Sequence, residues 1–385
     1  MRRKLGIPGD CLIALEARIE PHRLQENRAT GLGRYIDGSV LPVRRLYRIV
    51  NDGSMSAMQI EEAHSQSLKL IAPALRAYGD LAPRSLSVLP IARACQASCR
   101  FCFSESSASL EQVPHALDLD RVRSLCERAR EAGAERFVIT GGGEPGLLPH
   151  GQMLELIHLG RTHFGKVVLI TNAVHLARRE EGDRLRMLAD YGAAGLSVLA
   201  VSRHHHVAAA NRSIMGLDTR TERVVESWRG GRGSWPGLRL RLVCVLQKGA
   251  IEDLESVREY LRWAQAGGVE EVCFKELYVS TMLESAYHAA PENQWSLANQ
   301  VPLSLVTQYC SEAGLGTSAR LPWGAPVLAG VHEGKPLRVA AYTEPSLFWE
   351  RSIGIARSWN IMADGSVLVS LEDPLSLLPT DATLR

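Results

Sequence analysis

From residue 86 to about 280, short apolar runs alternate with amphipathic stretches. Runs of strand length occur at 86–90, 136–140, 167–171, 196–201, 238–246 and 269–279. Between the first two, residues 117–132 carry Leu119, Val122, Leu125 and Ala129 on one helical face, and 183–191 and 251–266 read as further helices. Six strands separated by helices predict an α/β fold built on a parallel sheet with right-handed crossovers. On either side the rhythm is lost. Before residue 84 no alternation is sustained, although Asp37-Gly38 followed by S-V-L-P-V predicts a turn and a short strand. From Ser56 to Tyr78, the residues Met58, Ile60, Ala63, Leu68, Leu70, Ile71 and Leu75 predict one or two amphipathic helices, a covering layer or a module that recognises a substrate. After 280, residues 287–302 read as a loop and helix. Asp364-Gly365, between two β-prone runs, predicts a hairpin that covers the open edge of the sheet. Three regions follow: a mostly helical extension at 1–84, the β-α core at 85–283, and a hairpin-containing extension at 284–385.

Within the core, two strands show which side chains share a face. On the fifth, Leu238, Leu240, Leu242, Cys244 and Leu246 alternate with Arg239, Arg241, Val243, Val245 and Gln247. The leucine face belongs under the outer helices, with Cys244 a buried structural thiol. Arg239 and Arg241 then face inward, where guanidinium groups are costly unless they meet an anion. The expectation is an anionic substrate held by this pair, or failing that, pairing with carboxylates of the protein itself. On the sixth strand Val272, Phe274 and Glu276 alternate with Cys273, Lys275 and Leu277, and the alternation does not decide which set faces inward. If it is the second, Cys273 and Lys275 join the interior.

Composition narrows the partners. A hydrophobic content of 45%, a charged content of 22% and a formal charge of +2 are ordinary for a globular protein and give no reason to expect nucleic acid or an anionic membrane. The basic first residues lead into no apolar signal core, and no run approaches a membrane span. Eight cysteines at irregular spacing do not form a disulfide framework in a chain of this length. A reducing, cytoplasmic setting is the expectation.

The chemistry concentrates just after the first strand. Cys95, Cys99 and Cys102 stand in a C-x3-C-x2-C array, within I-A-R-A-C-Q-A-S-C-R-F-C-F, whose spacing lets one short loop place three thiolates around one face of a [4Fe-4S] cluster. A structural zinc site would want a second cysteine pair, and no C-x2-C other than Cys99/Cys102 occurs. The second strand ends in G-G-G-E-P, Gly141 to Pro145, where glycines let the backbone approach a ligand and Glu144 can receive an ammonium group. Past the fourth strand His204, His205 and His206 form a run. Adjacent side chains diverge, which argues against one shared metal, and His204 is retained as a candidate proton donor or hydrogen-bonding group.

Together the cysteine array and the glycine-glutamate motif resemble the radical S-adenosylmethionine (SAM) enzymes, over about residues 86–281. The resemblance implies a partial (β/α)6 parallel barrel with chemistry at the carboxyl ends of its strands. It implies one cluster held by Cys95, Cys99 and Cys102 with an open iron for SAM. Gly142, Gly143 and Glu144 correspond to the residues that hold the methionine amino group. Thr171 and Asn172 resemble a T-N-G strand end, with Ala173 in place of the glycine. Ser202 corresponds to a ribose contact and Arg212 to a SAM carboxylate partner, and the backbone from Glu276 to Tyr278, centred on Leu277, to an adenine contact. No cysteine follows Cys310, so the auxiliary-cluster extension of many peptide-modifying relatives is missing.

The implied activity is reductive SAM cleavage and hydrogen abstraction from a small polar, anionic metabolite such as an amino acid, sugar or nucleoside, ending in epimerisation, rearrangement or elimination. An electron donor such as flavodoxin or ferredoxin is the implied partner. Modification of a ribosomally made peptide is the second reading. A non-catalytic iron-sulfur carrier or sensor is a third, which explains the cysteines but not G-G-G-E-P.

Overall fold

The computed structural model describes residues 33–36, 39–42, 75–92, 94–103, 117–231, 233–280, 285, 287–321 and 324–378. The six expected strands are present as β4 (Leu86–Val88), β5 (Phe137–Ile139), β6 (Val167–Thr171), β7 (Val198–Ser202), β8 (Arg239–Leu246) and β9 (Glu271–Glu276). They lie side by side in chain order, every neighbouring pair parallel. The strand expected after Asp37-Gly38 is β2 (Ser39–Pro42), antiparallel to β1 (Gly33–Ile36). Most of the predicted helical stretch from Ser56 lies outside the described residues.

The helices of the core follow from caps and apolar stripes. Helix α1 (Leu119–Glu131) starts where the Asp118 carboxylate accepts the amides of Asp120 and Arg121, and it buries Val122, Leu125, Cys126 and Ala129. After α2 (His150–His163), α3 (Val174–Ala177), α4 (Glu181–Ala194), α5 (Ala208–Met215) and α6 (Thr221–Gly231), the capping box between Asp253 and Ser256 opens α7 (Leu254–Ala266). Val257, Tyr260, Leu261 and Ala264 of α7 belong to the same buried core as Leu240, Leu242, Cys244 and Leu246 of β8. The leucine face therefore lies where its alternation put it, and Cys244 is fully buried.

The C-terminal extension does more than close one edge. Beyond α8 (Pro291–Asn299) and α9 (Ser304–Glu312), β10 (Gly316–Arg320), β11 (Pro326–His332) and β12 (Lys335–Tyr342) form an antiparallel meander whose last strand pairs parallel with β9. After α10 (Leu347–Ile353), β13 (Ile355–Ala356) pairs with β3 (Ala82–Pro83), and β14 (Trp359–Ile361) pairs parallel with β4 at the opposite edge. The hairpin at Asp364-Gly365 joins β14 to β15 (Val367–Leu368), with Gly365 at φ 81°, the left-handed conformation such a turn demands. Both edges of the six-stranded sheet are thus extended, and eight consecutive strands run parallel. Their inward positions are mostly small, among them Ser87, Val138, Val168, Val243, Cys273 and Ala340. They surround a cavity of about 620 Å³ that they do not fill.

Candidate active site

The cysteine loop leaves β4 and crosses the carboxyl end of the sheet. It is tied down by backbone bonds from Ser98 N–H to the Met215 carbonyl (2.9 Å) and from Cys102 N–H to the Cys99 carbonyl (3.0 Å). Phe101 meets His204 edge to face at a ring distance of 5.0 Å, and Phe103 packs against Tyr278 and Tyr287. The aromatic residues between and after the last two cysteines are therefore anchors that aim the thiols. Cys95, Cys99 and Cys102 are free thiols lining this cavity. Burial, and then the neighbouring sulfurs of Cys102 and Cys95, push Cys99 up to about 12. Among the described residues no three His, Cys, Asp or Glu side chains converge where a single ion would sit. A cubane asks for no such convergence, since each thiolate takes its own iron. The loop, its donor set and the adjoining cavity fit a cluster held by three cysteines.

The glycine-glutamate motif packs directly on this loop. Glu144 N–H donates to the Ala94 carbonyl at 2.8 Å, and a Cβ on Gly143 would stand 2.2 Å from that same oxygen. Only a glycine permits the approach, because the atom met is rigid backbone. Gly143→Ala is expected to displace the cysteine loop, lowering stability by about 1–3 kcal/mol, the usual cost of overpacking, and releasing iron from the reconstituted protein. Parallel thermal melts and iron analysis after gel filtration would check it, and unchanged iron content would show the contact to be dispensable.

Glu144 is buried with both carboxylate oxygens engaged. Oε1 accepts from Gly146 N–H (2.7 Å) and from the Thr171 hydroxyl, and Oε2 accepts from Asn172 N–H (2.8 Å). Burial raises its pKa, while the Asn172, Thr171 and Gly146 donors pull it back toward the ionised form. Asn172 in turn caps α3 through Val174 N–H (3.0 Å) and points Nδ2 toward Gln96 (3.3 Å) and the Cys95 sulfur (3.9 Å). Ala173, at the position of the expected glycine, takes the left-handed conformation all the same, at φ 59°. The strand-three motif thus holds the carboxylate of the strand-two motif and touches the cysteine loop.

Of the other expected site residues, Ser202, Leu277, Cys273 and Lys275 are on the cavity wall. The inward set of β9 is the one that contains Cys273 and Lys275, because Val272 and Phe274 pack into the core under the helices. The Leu277 carbonyl already accepts from the Gln300 side chain at 3.1 Å. Gly142 is buried inside the turn, off the cavity wall, and Arg212 is exposed on α5, away from it. The role expected of Arg212 toward a SAM carboxylate is therefore not supported by its position.

His204 needs a correction. It lies on the wall, but burial, helped by Arg203 and Lys275, holds its pKa down to about 3, and its Nδ1 accepts from Val245 N–H at 3.1 Å. The ring is a neutral wall element and not a group that titrates near neutral pH. The fully buried Arg203 beside it fixes the histidine run, donating to the carbonyls of His205 and His206 and pairing with Glu222 at 2.7 Å.

Arg239 and Arg241 take the second of the two expected courses, pairing with a carboxylate of the protein itself. They lie at the amino end of β8, opposite the end that carries the cysteines, and both bind Glu271: Arg239 to Oε1 at 2.6 Å, Arg241 to Oε2 at 2.8 and 3.1 Å. Burial opposes ionisation of Glu271, but Arg241, Arg239 and Arg338 outweigh it and hold its pKa below the usual carboxylate range. Glu271 is in phase with Cys273 and Lys275, so extending the strand-six alternation by one pair would have found it. The wall residues from the extension carry no such signal. Glu344 sits between Lys275 and Arg357, with Arg357 at 2.8 Å, and Glu372 accepts from Tyr278 (2.5 Å) and Ser280 (3.0 Å).

Residues 89–229 match the family model described as the Radical SAM superfamily, a segment that contains the cysteine array, the glycine-glutamate motif and the ends of β6 and β7. The match covers 141 of the 385 residues, and it is this segment that is similar to the superfamily, whose members use a [4Fe-4S] cluster and SAM. Solved structures similar to it include Streptococcus suis SuiB bound to S-adenosylmethionine (15% identity, 81% of this chain and 65% of that one, TM-score 0.48). Others are a radical SAM methyltransferase from Sphaerobacter thermophilus (21%, 59% and 67%, TM-score 0.37) and the coproporphyrinogen III oxidase HemN of Escherichia coli (16%, 62% and 54%, TM-score 0.39). The chain spans about 65% of the length of SuiB. No curated protein matches it. No helix among the described residues is long and apolar enough to cross a membrane.

Proposed function

We propose that the chain is an enzyme that cleaves SAM reductively at a single cluster held by Cys95, Cys99 and Cys102 and abstracts hydrogen from a small polar metabolite. The observation that carries this reading is that the three thiols share one cavity with a carboxylate, Glu144, immobilised by three donors. When bound, the cluster and SAM supply one-electron cleavage of the sulfonium and a hydrogen-abstracting 5′-deoxyadenosyl group. The chain's own work is to bind, orient and exclude water. Glu144 presents its carboxylate to the SAM ammonium without having to be ordered first. The cavity, about 620 Å³, falls within the range of pockets that enclose small ligands, about 300–1,000 Å³. Its wall offers the polar groups of Ser202, Lys275, Tyr342 and Arg357. Those features favour an amino acid, sugar or nucleoside, with epimerisation, rearrangement or elimination as the outcome and flavodoxin or ferredoxin as electron donor.

The test is anaerobic reconstitution followed by incubation with dithionite and SAM. Release of 5′-deoxyadenosine, with about four irons per chain as one cubane requires, is the expected result. Iron uptake without that product would leave an electron carrier. Glu144→Gln should keep the iron and weaken SAM binding by about tenfold or more, since a hydrogen bond to a charged group contributes about 1.5–3 kcal/mol. Equilibrium binding of SAM reads this out, and unchanged affinity would remove Glu144 from the site.

A further inference from the structure

At the amino end of the barrel, opposite the cysteine loop, positive charge collects from four strands. Arg136 immediately precedes β5 and Lys166 immediately precedes β6, while Arg239 and Arg241 lie on β8 and Arg338 on β12. Strand register explains the convergence. Arg241 and Arg338 are the direct neighbours of Glu271 on its two flanking strands, so both lie on its face of the sheet. Phe137 N–H bonds to the Lys166 carbonyl, which sets Arg136 beside Lys166. Four cations therefore act on one carboxylate with Arg136 beside the fourth, Lys166, and Glu271 already gives both oxygens to Arg239 and Arg241. The nearby Glu135 pairs with Arg84 at 3.5 Å. Among the described residues, the side chains of Arg136, Lys166 and Arg338 have no hydrogen-bond or ion-pair partner.

An excess of this kind costs free energy. Like charges at close range repel, and more strongly where walls of low dielectric reduce screening. Lys166 registers the effect: burial, then Arg241, Arg136 and Arg239, lower its pKa to about 8. A purely structural ion-pair network would have come closer to charge balance. Three unpartnered cations turned into a cavity are instead what a multiply charged oxyanion requires, because each supplies donors and charge without a protein carboxylate to displace. The cavity that Arg136, Lys166, Arg241 and Arg338 line is the one that reaches the cysteines. Along β8, Arg241 lies four residues from Val245, the strand neighbour of Lys275, a span of about 13 Å.

We propose that this floor of the barrel, formed by Arg136, Lys166 and Arg338 around the Arg239–Glu271–Arg241 cluster, binds an oxyanion of the phosphate class, either free or as the monoester end of a small molecule in the cavity. The site does not depend on the cluster or on SAM, so its test stands apart from the proposed activity. Thermal melts and calorimetric titrations of the full chain with inorganic phosphate, against chloride at equal ionic strength, should show saturable binding. The midpoint should rise by about 2 °C at tenfold excess over the dissociation constant. Lys166→Met and Arg338→Gln should each weaken binding at least tenfold. Without phosphate Lys166→Met should melt no lower than the parent, because Arg241, Arg136 and Arg239 repel Lys166 more than Glu271 attracts it. Lys248→Met, whose ammonium caps the Ala298 carbonyl at the surface, is the control and should bind as the parent does. Glycerol 3-phosphate separates the sources: competition with phosphate marks a floor open to a monoester, whereas phosphate binding alone marks a site for the free ion. No saturable effect beyond chloride, or full affinity in both variants, would overturn the proposal. So would a lower melting point for Lys166→Met without phosphate, which would make Lys166 a structural partner of Glu271.

Discussion

Replacing Cys95, Cys99 and Cys102 together by alanine is expected to remove all cluster iron and all SAM cleavage while leaving the fold in place. The three side chains contribute little to packing: Cys95 is exposed, the other two are only partly buried, and the loop is fixed instead by its backbone bonds and by Phe101 and Phe103. The effect on the melting point of the metal-free chain should therefore stay within about 1 kcal/mol, as for substitutions away from the core. The effect on the metal should be total. A cubane presents three of its irons to thiolates, and the other thiols among the described residues, Cys126, Cys244, Cys273 and Cys310, are buried. Iron and sulfide analysis, the charge-transfer absorption of the reconstituted protein and 5′-deoxyadenosine release would be measured side by side. A full complement of iron in the triple variant would defeat the assignment of the loop.

The same elements show what the chain discloses before it is folded. The cysteine array and G-G-G-E-P are local, each within one strand-to-helix turn, and the bond between Glu144 and Ala94 joins two motifs that sequence reading had already placed at neighbouring strand ends. The period-two alternation of β8 gave its two faces correctly because packing under α7 depends only on side-chain polarity. What the arginines bind was a different matter. Which carboxylate meets Arg241 depends on the register between β8 and β9, set by the whole sheet, and alternation within one strand carries no information about it. His204 misled for a related reason: its residue type suggests titration near neutrality, but its burial comes from Phe101, a hundred residues earlier, and from the backbone of β8. Of the two parallel strands added by the extension, β14 is the first arm of the hairpin expected at Asp364-Gly365, whereas β12 was beyond reach of local pattern, because no alternation within a strand says which sheet edge it will join.

Glu344→Gln is expected to destabilise the protein by about 2–3 kcal/mol at neutral pH, less than the ~3–5 kcal/mol of a fully buried pair because the Lys275 and Arg357 side chains are 27% and 28% exposed. Glu344 lies between two cations brought from different parts of the chain, Lys275 at the end of β9 and Arg357 after β13, so its loss strands both. Burial alone would raise its pKa, but Lys275 and Arg357 outweigh burial and hold it at about 2. A carboxylate whose folded pKa is depressed contributes stability that is present above its unfolded pKa, about 4.5, and is lost as pH falls through the folded value. The parent should accordingly lose about 3 kcal/mol from this group between pH 4.5 and pH 2, at 1.36 kcal/mol for each unit, whereas the variant should show no such loss. Glu350 contributes with the opposite sign: burial, against the pull of Arg357, raises it to about 8, so ionising it weakens the fold as pH rises from 4.5 toward 8. Comparing parent and variant at each pH cancels most of that contribution, since Glu344 is only the smallest of the causes acting on Glu350. Urea unfolding midpoints at pH 7, 4.5 and 3 give the comparison, with the difference largest at pH 7 and shrinking toward pH 3. Converting Lys275 to Met in the same chain should restore part of the loss, since one of the stranded charges goes with it. A difference below about 1 kcal/mol at pH 7 would mean that water reaches Lys275 and Arg357 and that the wall they share is open to solvent.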